Sequence, residues 1–256
     1  MLSPIVAKRN RLLAALPEEV QTRLLPHMEC VQLRAGQLLY EAAQPRRHVY
    51  FPTDSIVSLL NVSENGASSE IAMIGNEGVV GTAAFMGGVC SPWRASVQRG
   101  GSACRILGAY VKDEFDRHGA ALQLLLRYSQ ARSAQMAQTA ACNRYHSIEQ
   151  QLCRWMLLSL DRQSDTDLSL THESIASRLG VRREGVTDSA GKLQKLGAIS
   201  CHRGRISVLD RRRLEHLSCE CYAAVRRETE RLLPRQPHHE PAPRPRWNVL
   251  AELATA

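Results

Sequence analysis

Residues 170–210, LTHESIASRLGVRREGVTDSAGKLQKLGAISCHRGRISVLD, carry the strongest structural signal in this sequence. Thr171 offers a side-chain acceptor for a helix start, Glu173 places negative charge in the first turn, and Gly180 follows the last apolar residue. A second helix begins within residues 182–184. The stretch therefore predicts two short helices joined by a tight turn.

The second of these helices has an apolar face and a polar face. Val186, Ala190 and Leu193 recur at spacings of four and three, which predicts that they face inward. The opposite face suits a DNA major groove, because arginine reads guanine there and glutamate accepts from cytosine. The outward residues are Arg182, Arg183, Glu184, Thr187, Asp188 and Lys192.

After Gly197 the apolar pattern changes from helical to alternating. Residues 198–201 and 206–209 predict two strands around the turn His202-Arg203-Gly204-Arg205. This hairpin places Arg203 and Arg205 where they can approach a phosphate backbone. Between Thr171 and Arg213, ten Lys and Arg stand against four Asp and Glu, a balance typical of polyanion binding.

The two helices and the hairpin together resemble the winged helix-turn-helix of the Crp/Fnr family of bacterial transcription regulators. The resemblance extends over nearly the whole chain apart from its ends. It implies an α+β fold: an N-terminal antiparallel β-roll like a cyclic-nucleotide-binding domain, a long dimerisation helix and a C-terminal winged helix-turn-helix. Arg183 and Glu184 match positions where the family commonly reads base edges, whereas Asp188 replaces a frequent Arg. The other expected DNA contacts are Thr171, Ser174, Arg182, Thr187, Lys192, Arg203 and Arg205.

Composition is consistent with such a regulator. The chain has 256 residues, 44% of them hydrophobic, and a net charge of +8, which predicts a folded protein with an anionic partner. It has no apolar run long enough to cross a bilayer and no apolar segment typical of a secretory signal, so we expect a cytoplasmic protein without a membrane partner. No local signature organises a nucleophile or an acid–base pair, so we do not expect an enzyme.

Between Met28 and about Leu107, short runs of β-type residues alternate with turn signals. Seven runs spaced near ten residues predict an antiparallel roll or barrel. The line VYFPTDSIVSLL at 49–60 most resembles the family's cyclic-nucleotide-binding roll. The predicted strands are Cys30 to Leu33, Leu38 to Tyr40, His48 to Phe51, Ile56 to Asn61, Glu70 to Ile74, Arg94 to Gln98 and Ala103 to Leu107.

The resemblance also implies an effector site in the roll. In the family's cyclic-AMP binders, a Gly-rich turn leads to a Glu for the ribose and to an Arg followed by Ser or Thr for the phosphate. Here Thr82 stands at the Glu position and Ala95 follows the Arg, which argues against cyclic AMP. Glu77 is either a displaced ligand or a helix cap, and Arg94 is either a ligand or a surface-paired strand residue. The candidate effector residues are Gly75, Glu77, Gly78, Gly81 and Arg94.

A long helix is predicted from Val111 to Ala141. Small residues in its later half would let two helix axes approach closely, which favours a coiled-coil-like homodimer seam over a helix packed only on its own roll. A dimer would present two recognition helices to successive major grooves of a pseudo-palindromic site. The predicted seam residues are Leu122, Leu125, Leu126, Ser129, Ser133, Met136 and Ala140.

The eight cysteines are spaced too widely for a zinc ribbon or a ferredoxin run. Some family members hold an oxygen-sensing iron–sulfur cluster with N-terminal cysteines, but the first cysteine here is Cys30, so such a cluster is not expected. We predict no metal site and no certain cofactor. Cys219 and Cys221 form a weak metal or redox candidate, and His146 is expected to be a solvent-facing or capping residue.

The predicted domains are a sensor roll (1–110), a dimerisation helix (111–142), a winged helix-turn-helix (143–220) and a C-terminal helix with a flexible, basic, Pro-rich tail (221–256). Two short helices broken at Pro17 precede the roll, and a hinge is predicted near Asn143. Double-stranded DNA and a second copy of the chain are the expected partners, with RNA polymerase as a third if the protein is an activator. The alternative function is a nucleotide-responsive signalling module whose basic domain contacts protein.

Overall fold

Two antiparallel sheets form most of the N-terminal half of the chain. The structure is a computed structural model that describes residues 4–45, 47–88, 90–163 and 165–233. One sheet has the strand order β1-β7-β3 and the other the order β2-β6-β4-β5. The seven predicted strands are confirmed to within two residues at their ends. They are β1 (Glu29–Leu33), β2 (Leu38–Tyr40), β3 (His48–Pro52), β4 (Ile56–Val62), β5 (Ser68–Ile74), β6 (Arg94–Arg99) and β7 (Gly101–Leu107).

The interior of the roll is filled by apolar side chains. Val57, Leu59, Ala95 and Val97 alternate along two paired strands and are fully buried in one cluster. The period-2 pattern that predicted these strands therefore also selects the residues of the core.

Three short helices precede the roll, where two were predicted. They are α1 (Pro4–Ala7), α2 (Arg11–Ala14) and α3 (Glu18–Leu24), and a 3₁₀ turn follows at Leu25–His27. The additional break lies at Asn10, whose side chain accepts from the Leu13 amide at 3.0 Å and donates to the Gly78 carbonyl at 2.9 Å. Pro17 precedes α3 as its cap rather than forming its first residue.

The prediction of a single helix from Val111 to Ala141 is wrong, because the chain forms two helices there and both outer ends differ from the predicted ones. The chain forms α4 (Gly108–Asp116) and, after a break at residues 117–119, the longer α5 (Ala120–Tyr145). The hinge predicted near Asn143 lies instead at His146 and Ser147. Ser147 starts α6 (Ile148–Leu160) with a reciprocal capping box to Gln150, which is a stronger helix-start signal than any at Cys142 or Asn143.

The C-terminal part contains the predicted helix pair and hairpin. The polar stretch 161–167, whose composition predicts a connector, ends in a short strand at residues 167–168, so the small sheet has the order β8-β10-β9. The charged stretch 211–233, whose amphipathic pattern predicts one helix, forms two helices that are separated at Ser218 and Cys219. The elements are β8 (Asp167–Leu168), α7 (His172–Leu179), α8 (Arg183–Lys195), β9 (Ile199–His202), β10 (Arg205–Val208), α9 (Arg211–Leu217) and α10 (Glu220–Leu232).

Helix α10 returns along α5 in the antiparallel direction. Gln138 of α5 contacts Cys221 at the start of α10, whereas Leu232 and Leu233 join the core beneath the N-terminal helices. An Arg11 guanidinium nitrogen donates to the Leu233 carbonyl at 2.8 Å. The last helix therefore links the C-terminal domain back to the roll. No helix in the described ranges has both the length and the apolar character needed to cross a membrane. The Pro-rich tail, with its His238-His239 pair, lies outside the described residues.

Candidate functional site

Helices α7 and α8 form the tight helix pair that the sequence predicted. The Thr171 hydroxyl accepts from the Ser174 amide at 3.2 Å and so caps α7. Gly180 ends α7 with a φ of 68°, a left-handed conformation that glycine adopts without strain. Both local signals used in the prediction are therefore present in the structure.

The two faces of α8 are divided as predicted. Val186, Ala190 and Leu193 are buried in the domain core, and this packing fixes the helix with its other side outward. The predicted outward side chains are all exposed, and they are Arg182, Arg183, Glu184, Thr187, Asp188 and Lys192.

The hairpin of β9 and β10 turns at Arg203 and Gly204, whose φ values of 22° and 79° suit a tight two-residue turn. Arg203 and Arg205 at its tip are exposed, and Arg205 pairs with Asp167 at 3.2 Å. These two arginines share one concave surface with Arg183 of α8 and with residues 170–173 of the α7 start. We call this surface the basic groove.

Two of the predicted contact residues, Thr187 and Lys192, already have partners within the C-terminal domain, and a third, Ser174, is partly covered. The Thr187 hydroxyl donates to the Arg183 carbonyl at 3.1 Å and lies 3.1 Å from His172 Nδ1. Lys192 Nζ lies 3.9 Å from a Glu149 carboxylate oxygen. Ser174 is half-buried. Arg183, Arg203 and Glu184 are the more open members of the set.

The candidate effector residues 75–78 lie where the roll meets two helices. Glu77 accepts from the Arg162 guanidinium at 2.7 Å, and both side chains are buried. The Tyr128 ring from α5 lies over Gly78, where a Cβ would come within 2.6 Å of it. This loop therefore contacts both the long helix and the C-terminal domain.

The other candidate effector residues are on the neighbouring strand and turn. Gly81 has a φ of 97° and precedes the 3₁₀ helix Thr82–Ala84. Arg132 of α5 donates to the Thr82 hydroxyl at 3.1 Å. Arg94 pairs with Glu41 at 2.8 Å, with each side chain about one-third exposed, which matches the surface-paired alternative for this arginine.

A polar network that was not predicted from the sequence joins the C-terminal domain to the roll. Arg178 of α7 turns away from the basic groove and lies 3.6 Å from the carboxylate of the buried Glu70 on β5, and Arg178 itself is partly buried. Glu70 also accepts from the Trp155 indole at 3.0 Å and from the Ser58 hydroxyl. Burial raises the pKa of Glu70. The roll residues Ile56 and Met73 belong to the same apolar cluster as the core of the C-terminal domain.

The predicted seam on α5 is divided by burial. The prediction is wrong for Leu125, whose side chain is packed in the core of its own chain and cannot face a second copy. Leu122, Ser129 and Met136 are half-buried, whereas Leu126, Ser133 and Ala140 are exposed. Gln130 and Ala137 continue the exposed stripe at spacings of three and four. We call Leu126, Gln130, Ser133, Ala137 and Ala140 the α5 stripe.

A cluster of three cysteines and one histidine lies at the hinge. Cys142 and His146 come from the end of α5, and Cys219 and Cys221 come from the start of α10. Their sulfur and ring nitrogen atoms all lie within 4.8 Å of one another. The hydrogen bond from the Cys142 thiol lowers the pKa of Cys219 to about 5.

The sequence pattern predicted no metal site and assigned His146 to solvent or a cap. His146 does follow the end of α5 as its cap, but its ring is in this cluster. The available signal was Cys-x3-His at the end of one helix and Cys-x-Cys near the start of another. Neither pair alone indicates a metal site, because the two pairs are more than 70 residues apart in the sequence and only the fold brings them together.

Two family models match the sequence. A Crp-like helix-turn-helix domain matches residues 150–217, and a cyclic nucleotide-binding domain matches residues 30–118. No curated protein matches the chain.

Solved structures similar to this one include regulators of the Crp/Fnr family. A regulator of the Crp/Fnr family from Eubacterium rectale is 16% identical with a TM-score of 0.66, and the match covers 82% of this chain and 98% of that one. FixK2 from Bradyrhizobium japonicum is 16% identical with a TM-score of 0.62, covering 75% and 98%. A regulator of the CRP/FNR family from Thermus thermophilus is 22% identical with a TM-score of 0.57, covering 74% and 98%. At these identities the likeness establishes the fold.

Proposed function

The chain belongs to the Crp/Fnr family of transcription regulators, and we propose that it binds a pseudo-palindromic DNA operator as a homodimer. The observation that carries this proposal is the basic groove between the start of α8 and the wing. Arginines from two elements converge there, while the buried face of α8 holds the helix in place. This arrangement suits a helix that enters a major groove beside a hairpin that contacts the backbone.

The proposed roles follow from position along α8 and the wing. Arg183 and Glu184 in the first turn of α8 contact base edges, because the N-terminal residues of a recognition helix reach deepest into the groove. Asp188 is repelled by phosphate but accepts from cytosine N4, so the half-site differs from one read by arginine at that place. The remaining contacts are to the backbone, and they come from Thr171, Ser174, Arg182, Thr187, Lys192, Arg203 and Arg205.

The proposed dimer forms along the α5 stripe. This face carries small and apolar side chains that remain exposed when the rest of α5 packs on the roll and on α10. Small residues allow close approach of two helix axes. Association there sets the recognition helices about 34 Å apart, one turn of DNA.

We propose a division into a sensor region that includes the roll and α4, the dimerisation helix α5 (Ala120–Tyr145), a winged helix-turn-helix domain from α6 to α9, and a C-terminal segment that begins with α10. In the roll, the candidate ligands Glu77 and Arg94 each have a partner within the chain, and so does Thr82, which stands at the position of the family's ribose-binding Glu. We therefore propose a modified sensor site that does not take cyclic AMP. An effector acting there would alter how the two long helices meet, and an activating complex would also contact RNA polymerase.

The test is selection of bound sequences from a random duplex pool by the purified protein without added nucleotide. The expected result is an enriched pseudo-palindrome with half-sites about 10 base pairs apart. Salt-insensitive protein binding with no DNA retardation would favour the alternative signalling module. If the protein binds DNA but enriches no sequence from the pool, with or without cyclic nucleotides, sequence-specific DNA recognition would be contradicted.

A further inference from the structure

The Cys/His cluster (Cys142, His146, Cys219 and Cys221) joins the two ends of the hinge region. Cys142 lies in the last turn of α5, and His146 is the residue at which α5 ends before α6 begins. Cys219 and Cys221 flank the first residue of α10, the helix that returns along α5. The cluster therefore lies where the long helix, the DNA-binding domain and the last helix meet.

The distances between the donor atoms match those among the four ligands of a single tetrahedral metal ion. Cys142 Sγ and Cys219 Sγ are 3.5 Å apart, and Cys221 Sγ is 3.4 Å from His146 Nδ1. A tetrahedron with zinc–sulfur bonds of about 2.3 Å and a zinc–nitrogen bond of about 2.0 Å has edges of roughly 3.5–3.8 Å. The upper limit of 4.8 Å among all four donors leaves room for one metal ion at the centre.

The surroundings of the donors are also those of a metal site. His146 Nε2 lies 3.2 Å from a Glu220 carboxylate oxygen, which directs the other ring nitrogen, Nδ1, toward the sulfurs, as a carboxylate commonly does behind a metal-bound histidine. Gln138 donates to Cys221 Sγ at 3.0 Å. All three cysteines are buried, and the buried cation Arg154 acts electrostatically on Cys142. A cation nearby offsets the net charge of minus one that three thiolates and a divalent ion would carry.

We propose that Cys142, His146, Cys219 and Cys221 bind one Zn²⁺ ion in a closed tetrahedral site that fastens α10 to the end of α5. Three thiolates and one imidazole are a donor set that zinc favours, and four protein ligands leave no open position, as in structural zinc sites. The cysteine protons are released to solvent as the metal binds. Oxygen-preferring ions such as Mg²⁺ and Ca²⁺ do not suit these ligands.

This site would fix the geometry of the hinge independently of any ligand in the roll. His146 and Ser147 are the residues through which α5 passes into the DNA-binding domain, and the ion would tie this point to α10. Loss of the ion would free α10 to separate from α5. The metal content does not depend on operator binding, so it can be tested even if the proposed function is wrong.

The experiment measures zinc in the full chain purified under reducing conditions and dialysed against metal-free buffer. We expect about one zinc per chain in the wild type and in Cys30→Ser, which changes an exposed cysteine on β1 outside the cluster. Cys221→Ser and His146→Asn should each lower zinc affinity at least about tenfold. Replacement of zinc by Co²⁺ should give the intense visible and thiolate charge-transfer absorption of a tetrahedral site.

A second measurement needs no variant and therefore does not depend on how well the variants fold. Titration of the wild-type thiols with a mercurial should release zinc in step with reaction of the cluster cysteines. Wild-type protein without stoichiometric zinc, a weak octahedral cobalt spectrum, or iron accompanied by inorganic sulfide would each overturn the assignment. A Cys142–Cys219 disulfide in protein isolated without oxygen would also overturn it and would indicate a redox pair instead.

Discussion

Arg183 and Arg205 are both exposed in the basic groove, but they belong to different elements and have different expected roles. Arg183→Ala should relax sequence specificity and cost about 1–3 kcal/mol at one base pair, because a side chain on α8 reads a base edge. Arg205→Ala should weaken binding to all sequences alike and reduce the salt dependence by about one phosphate contact. Affinities for the selected operator, its single-base variants and a random duplex at several salt concentrations measure both effects.

Arg227→Ala is a suitable control for this pair, because Arg227 is an exposed arginine on α10, outside the groove. It should leave the operator preference and the salt dependence unchanged. Equal losses on operator and random DNA in both groove variants would contradict the division of roles.

Glu77 and Arg162 form a buried ion pair between the roll and the end of α6. Glu77→Gln should lower the free energy of unfolding by about 3 kcal/mol, because it leaves the Arg162 charge buried without its partner. Denaturant unfolding measures this loss. The double variant Glu77→Gln with Arg162→Met should recover much of it, since no unpaired charge remains. A double variant less stable than Glu77→Gln alone would show that the charge is not the cause.

The residues of the basic groove were predictable because their signals are local. A helix cap, a turn glycine and a helical period are all read within one stretch of about 40 residues. Arg178 shows the limit of such reasoning. It belonged to the same basic excess in the sequence, yet its guanidinium pairs with Glu70, more than 100 residues earlier in the chain.

At the scale of elements, α5 has an exposed stripe that the dimer proposal uses. Ala137→Glu should raise the dissociation constant of the dimer at least about tenfold, because it brings two like charges together in the proposed seam. Ala223→Glu is the matched control, since Ala223 is an exposed alanine on the outer side of α10. Sedimentation equilibrium measures the dissociation constants of the two variants. A monomeric wild-type protein, or an Ala137→Glu variant that dimerises as well as wild type, would contradict the proposed dimer seam.

Helices α3 and α4 are joined by Arg23, whose guanidinium contacts both oxygens of the Glu114 carboxylate at 2.6 and 2.8 Å. The hydrogen bond from Arg23 lowers the pKa of Glu114. The ionised pair therefore stabilises the fold fully above the ordinary glutamate pKa of about 4.3, and this contribution is lost as the pH falls through the lowered value. The stability difference between wild type and Glu114→Gln should shrink accordingly in melting experiments below about pH 5.

Arg23→Met offers a check on this pH effect. It removes the main partner but leaves Arg117, which lies 3.3 Å from the same carboxylate, so the stability difference between Arg23→Met and wild type should also shrink as the pH falls, by a smaller amount. A difference between wild type and Glu114→Gln that stays constant from neutral pH to well below the ordinary glutamate pKa would rule out the pair as its source.

Element types were predicted more accurately than element ends. The seven strands of the roll and the two helices of the motif follow from periodicity, whereas α5 passes through Cys142 and Asn143 because the Ser147 capping box sets the next helix start. The break at Ser218 and Cys219 was missed because the residues on both sides have helical composition. It is this break that brings Cys219 and Cys221 to the hinge, so the Cys/His cluster could not be predicted either.

At the scale of the whole molecule, the contact between the roll and the DNA-binding domain around Glu70 has an apolar part and a polar part. Its apolar part joins Ile56 and Met73 to the core of the C-terminal domain. Its polar part centres on Glu70, and at its rim the Ser68 and Ser177 hydroxyls are 2.8 Å apart. Because α7 carries both Arg178 and Ser177, the orientation of the helix pair depends on this contact.

Glu70→Leu should release this interface, because it leaves the Arg178 charge without its carboxylate partner and the buried Trp155 indole without its acceptor. The expected result is a larger radius of gyration in small-angle scattering and faster hydrogen exchange in α7, while the helices of the C-terminal domain stay folded. Operator affinity should fall more than affinity for random DNA, because two half-sites are read together only when the recognition helices keep their separation. In the double variant Glu70→Leu with Arg178→Leu, apolar side chains replace both charges, so the compact arrangement should return. Unchanged scattering and exchange in Glu70→Leu would mean that the other contacts, among them the apolar cluster and the Glu77–Arg162 pair, are enough to orient the domain.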